Sequence, residues 1–184
     1  FSNQAQNWGL DTPSFSNGAA YGDLDNDGDL DLVVNNVNME AFVYKNNAEK
    51  NKQNHFVKVK LKGDQQNKFA VGSTVELFSG SEILRQELIP SRGFQSSIDY
   101  TMTFGIGNKK IDSLQVIWPN GKTQTIKKVT NNTTIQLNIL DAKSDFVVKN
   151  KVVKPLFSET KTTFLAHKEN DYIDFDYEGL ISKM

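Results

Sequence analysis

The chain has no cysteine. Disulfides and thiolate metal sites are therefore excluded, leaving either a reducing compartment or an envelope protein braced by other means. Histidine is nearly as scarce, with only His55 and His167. Serine–histidine chemistry would have to rest on one of these, and neither belongs to a metal-ligand spacing. Both read as ordinary surface residues. No apolar run reaches the eighteen or so residues of a membrane-spanning helix, so no transmembrane segment is predicted. A dominant charge is missing too: 21 basic side chains face 22 acidic ones, a formal net charge of -1. Such a chain projects no global field to draw in nucleic acid or an anionic membrane. Glycine-rich phosphate loops are lacking, since Phe104-Gly105-Ile106-Gly107 has neither a third glycine nor a following helix. A paired-carboxylate glycosidase needs two acids facing each other across a cleft, one with a raised pKa. Here the densest acids share one short loop.

That loop is the most informative stretch present. Asp23-Leu24-Asp25-Asn26-Asp27-Gly28-Asp29-Leu30-Asp31 packs five carboxylates into nine residues, with glycine in sixth place. Like charges so close repel, so a compact fold implies a cation among the oxygens. Calcium is the natural candidate. It is a hard ion that takes six to eight oxygen ligands, and the alternate spacing of Asp23, Asp25 and Asp27 lets a curved loop aim every second side chain at one centre. Gly28 permits the sharp turn. By analogy with known calcium loops, Asp29 supplies its backbone carbonyl and Asp31 closes the shell. An EF-hand is excluded, because that loop requires glutamate in twelfth place and a helix on each side. Counting from Asp23, the twelfth residue is Val34, inside the strand-like run Leu30 to Asn36. The bland alternative is an acidic turn that binds nothing.

Around the loop the chain reads as strands. Asp11 to Gly18 is turn chemistry with little periodicity. Leu32 to Asn35 and Ala41 to Lys45 form a hairpin pattern, and Asn46 to Asn54 is polar with no apolar residue larger than alanine, which marks a domain boundary. Beyond it Val57, Val59 and Leu61 alternate with Lys58, Lys60 and Lys62, giving one buried and one solvated face. Further strands are expected around Val75 to Leu77, Ile83 to Ile89, Ile98 to Phe104, Leu114 to Trp118, Thr123 to Val129 and Ile135 to Ile139. Pro119-Asn120-Gly121-Lys122 supplies a hairpin turn. Seven or so short strands argue for an all-β antiparallel sandwich or barrel. Trp8, Trp118 and most phenylalanines are expected in the core. Arg92, beside Gly93 and Phe94, is the one motif residue outside the loop placed to meet a ligand, with a turn-capping role as the plainer reading.

Asn17 to Asp23 leading into the acidic loop, then Leu30 to Asn36, closely resembles an FG-GAP (VCBS-type) repeat, the calcium-binding unit of integrin-like β-propellers. The resemblance covers Phe1 to about Asn47 and implies calcium on Asp23, Asp25, Asp27 and Asp31 with the carbonyl of Asp29. One such repeat cannot close a propeller, because repeat units bury their faces against neighbours. Val71 to Leu77, Ser91-Arg92-Gly93-Phe94, Phe104 to Gly107 and Val116 to Gly121 recur in the order of an ASPIC/UnbV domain, which they resemble from about His55 to Asn138. Departures fall at Phe94 to Ser97 and at Ile117, where that family more often carries arginine. Together the two resemblances look like the cartilage acidic protein type of architecture.

The organisation expected is therefore a calcium-binding repeat over 1–50, a β-sandwich over 55–140, and a linker with the start of a further propeller-like segment over 141–184. Phe1 opens directly in a repeat-like segment, as though cut from something longer. The function implied is a non-catalytic, extracytoplasmic module of a cell-envelope or surface protein that binds a protein or glycan partner. The alternative is an accessory domain of an envelope enzyme acting on polysaccharide, with its active site elsewhere.

Overall fold

The computed structural model describes residues 2–147 and 155–160. The expectations for His167 and for a propeller-like segment beyond residue 160 lie outside the described residues. Phe1–Val148 form one compact unit, and residues 155–160 are exposed and irregular.

The first sheet is antiparallel and consists of β1 (Ser16–Gly22), β2 (Asp31–Asn36) and β3 (Phe42–Tyr44). The last two are the expected hairpin. The first was hidden by composition: small residues where β-branched ones are usual give it little strand preference of its own. Pairing decides instead, with Ala19, Ala20 and Tyr21 laddered onto Val34, Val33 and Leu32.

A two-sheet sandwich follows, built from β4 (Phe56–Lys62), β5 (Thr74–Ser79), β6 (Glu82–Glu87), the short pair β7 (Ser91–Arg92) and β8 (Ser96–Ser97), then β9 (Thr101–Gly105), β10 (Ser113–Ile117), β11 (Lys122–Lys127), β12 (Thr133–Asn138) and β13 (Ser144–Asp145). One layer has the order β13-β11-β10-β5-β6 and the other β12-β4-β9. Val57, Val59, Met102, Phe104 and Leu137 of the smaller layer meet Val75, Leu77, Leu114 and Val116 of the larger in one apolar core. Trp118 belongs to it, 2% exposed, but Trp8 is 72% exposed and Phe104 is the only buried phenylalanine among the described residues, against the expectation that Trp8 and most phenylalanines are core. Neither sheet closes on itself, so the fold is a sandwich and not a barrel. The Asn-Gly turn forms as expected, with Gly121 at φ 78° and the amide of Trp118 donating to the carbonyl of Lys122.

One pairing departs from an all-antiparallel sandwich. β12 runs parallel to β4, from Thr133 beside Val57 to Asn138 beside Lys62. Everything from β5 to β11 lies between the two strands in sequence, so no tight turn forces them into opposite directions.

The alternation along β4 also breaks at one place. Lys60 and Lys62 are exposed as a solvated face requires, but Lys58 is only 8% exposed. The acidic loop of the first sheet covers it. Gly28, at φ +107°, sits so close to β4 that an added Cβ would lie 1.9 Å from the Phe56 ring. β1 meets the β7–β8 hairpin in the same way: a Cβ on Gly18 would come within 2.9 Å of Ser96 Oγ. Arg92 Nε donates to Tyr21 Oη at 3.1 Å across this contact.

Gly28→Ala therefore meets both left-handed backbone strain and the Phe56 ring, and should destabilise by about 2–4 kcal/mol. In the Phe56→Ala background the same change should cost clearly less when both are measured by urea unfolding. Equal costs would mean that the loop does not pack on the ring.

Candidate metal centre

The acidic loop joins β1 to β2, and its mouth is held by Asp31. This residue pairs with Gly22 at the start of the ladder and is 3% exposed. Its Oδ2 accepts the amide of Leu24 at 3.0 Å and its Oδ1 accepts the amide of Asn46 at 2.9 Å. One carboxylate thus ties both loop ends to the chain leaving β3. Inside, Asp23 Oδ2 accepts the amide of Gly28 at 3.0 Å. Asp25 and Asp27 each accept the amide two residues on, the local bonding by which aspartate shapes turns. Asn26 at φ 61° and Gly28 supply the left-handed steps that curl the loop.

The curl brings Asp23, Asp25 and Asp27 together, each with a carboxylate oxygen within 4.8 Å of the others'. Asp27, Asp29 and Glu49 form a second such group on the same criterion. Asp31 belongs to neither, its two oxygens being engaged by backbone amides. Asp29 enters by its side chain, with Oδ2 accepting the Glu49 amide at 3.1 Å. Glu49 is a member the sequence pattern did not reveal, because it lies on a single 3-10 turn, Ala48–Lys50, twenty residues downstream.

Two buried carboxylate oxygens, Asp23 Oδ1 and Asp29 Oδ1, have no hydrogen-bond donor, and a third, Asp27 Oδ2, is approached only by the Lys45 ammonium at 3.3 Å. Buried oxygens normally find a donor, and converging hard oxygens of this kind suit a calcium ion. The residues present therefore fit the metal that the sequence pattern suggests.

Two lysines approach the same carboxylates. Lys45 pairs with Asp25 and lies 3.3 Å from Asp27 Oδ2, in an exposed setting. Its hydrogen bond holds the Asp25 carboxyl below its usual range, and the Asp25 and Asp27 carboxylates in turn raise the Lys45 ammonium. Lys58 pairs with Asp23, with side chains only 11% and 8% exposed, and its ammonium stands 5.4 Å from the Phe56 ring centre. Burial pushes the Lys58 ammonium below its ordinary value, and Lys60 adds to this while Asp99 opposes it. Asp29 is shifted upward, chiefly by burial and then by the charges of Asp27, Glu49 and Asp31, against the amide bond from Glu49.

Clefts flank the loop among the described residues. One of about 560 Å³ is lined by Asp27, Asp29, Glu49, His55, Phe56 and Asn132 among others. His55 sits just before β4 with Nδ1 at 3.1 Å from Asn132 Nδ2. A second cleft, of about 380 Å³, lies beside Tyr21, Leu30, Arg92 and Thr103. Arg92 there spans β1 and β7, bonding Tyr21 and the Ser91 carbonyl at 2.8 Å.

Because the folded state raises the Asp29 pKa, it holds that proton more tightly than the unfolded chain, and ionised Asp29 costs stability above the carboxylate range. Asp29→Asn should therefore raise the melting temperature in EDTA at about pH 7, and the gain should fade below about pH 3, where the wild-type group is neutral as well. A lower melting temperature for the variant at neutral pH would contradict this.

Comparison with known families places residues 63–144 in a match to the model described as ASPIC and UnbV. The match runs from the end of β4 into β13 and excludes the acidic loop. No curated protein matches the chain. The four ordered motifs of the sandwich all fall within the residues that match this model.

Proposed function

We propose that the chain is a non-catalytic, calcium-binding module of a larger extracytoplasmic protein, in which an ASPIC/UnbV sandwich and an FG-GAP-type repeat together present a surface to a protein or glycan partner. One observation carries the reading: Asp23, Asp25 and Asp27 converge within 4.8 Å, and the loop retains buried carboxylate oxygens without donors. Asp23, Asp25 and Asp27 would hold the ion, with Asp29 beside them and Asp31 fixing the loop mouth. A bound divalent cation supplies the positive charge that lets these carboxylates stand together. Its role is structural: it fixes the loop and, through Gly28 and Phe56, the seating of the first sheet on the sandwich. The absence of cysteine suits an envelope setting in which metal takes the bracing role of disulfides.

With a Kd on the order of 10⁻⁴ to 10⁻³ M, as in extracellular modules, about 10 mM calcium should stabilise the fold by about 1.4–2.7 kcal/mol. For a chain of this size that is a rise of several degrees in melting temperature, on the order of 3–10 °C. Asp31→Ala strands the Leu24 and Asn46 amides at a cost of about 1–3 kcal/mol, and should abolish the calcium-dependent rise. Identical melting in EDTA and calcium for both forms would sink the proposal.

A further inference from the structure

Lys58 lies where a sandwich strand passes under the loop. Its ammonium pairs with Asp23, the two side chains being 11% and 8% exposed. Phe56 is on its other flank, 5.4 Å from the ammonium to the ring centre, and the same ring supports Gly28 of the loop. Asp23 is thus shared. Its Oδ2 serves Lys58 and the Gly28 amide, while its Oδ1 is buried with no hydrogen-bond donor although the side chain is more than nine-tenths covered. A second cation drawn to Asp23 would stand beside the Lys58 ammonium in a poorly screened setting, where like charges repel far more than in water. Lys45 differs. Its side chain is 53% exposed over Asp25 and Asp27, so it can swing into solvent at little cost.

We propose that Lys58 is a tethered cation that competes with calcium for Asp23, so that loading the loop releases Lys58 from the carboxylate and the strength of this internal pair sets the calcium affinity. The inference rests on the calcium reading above and goes beyond it. It makes the sandwich, through one side chain of β4, the element that tunes an ion site on a neighbouring sheet. It also makes the contact between the two sheets responsive to calcium: without calcium an ion pair joins them, and with calcium the apolar Gly28–Phe56 contact remains.

The test is calorimetric titration of calcium chloride into chelator-stripped wild type, Lys58→Met, Lys58→Arg and Lys45→Met, with Lys58 labelling by an amine-reactive reagent read by mass spectrometry. Lys58→Met should bind calcium at least tenfold more tightly than wild type. Lys58→Arg, which keeps the charge, should stay within about threefold, and so should Lys45→Met. In the wild type, Lys58 should label slowly in EDTA and several-fold faster in calcium. If Lys58→Met binds calcium no more tightly than wild type, or if Lys58 in a calcium-binding wild type is protected equally in both buffers, the competition is refuted while the calcium site stands. If neither wild type nor any variant gives heat or a melting shift, the calcium reading itself fails and the inference falls with it. The labelling experiment needs no variant, so it decides the matter even if Lys58→Met does not fold.

Discussion

Mutual repulsion among the carboxylates of one nine-residue loop is the constraint around which this molecule is arranged. Each acid is met by something. Asp31 takes two backbone amides and becomes the clasp of the loop. Asp25 takes an exposed lysine, and Asp23 takes a buried one from the sandwich. Asp29 is held by an amide from the 3-10 turn after β3. Asp23 Oδ1 and Asp29 Oδ1 are left buried with no hydrogen-bond donor. What the loop requires for neutrality is also what fastens the first sheet to the second domain-sized body.

That fastening explains why the polar stretch after β3 matters. Asn46 to Asn54 has almost no apolar surface with which to build a core, yet the amides of Asn46 and Glu49 close hydrogen bonds to Asp31 and Asp29. The segment links the two sheets and shapes the loop at once. Gly28 completes the arrangement, since only a residue without a side chain allows the loop to settle on Phe56. Behind this surface the sandwich core is conventional, with the inward residues of two sheets closing around Val57, Val59, Leu77, Leu114 and Val116.

Much of the fold was legible because the sandwich strands alternate cleanly, and the Asn-Gly turn fixes one hairpin. The acidic loop stands out for a different reason: five carboxylates in nine residues repel one another unless something offsets their charge. What escaped detection was set by contacts distant in sequence. β1 is a strand through its partner and not through its own residues. Lys58 looks like Lys60 and Lys62 in the pattern, and only the loop lying over it makes it a buried cation. Glu49 carries no motif, and the parallel pairing of β12 with β4 follows from topology that local periodicity does not encode.

The most direct test of the central claim is a crystal structure of the chain grown with calcium chloride. The account predicts an ion bound by carboxylate oxygens of Asp23, Asp25 and Asp27 at about 2.3–2.6 Å. A well-ordered loop with no ion, its carboxylates held by Lys45 and Lys58 even in excess calcium, would contradict it.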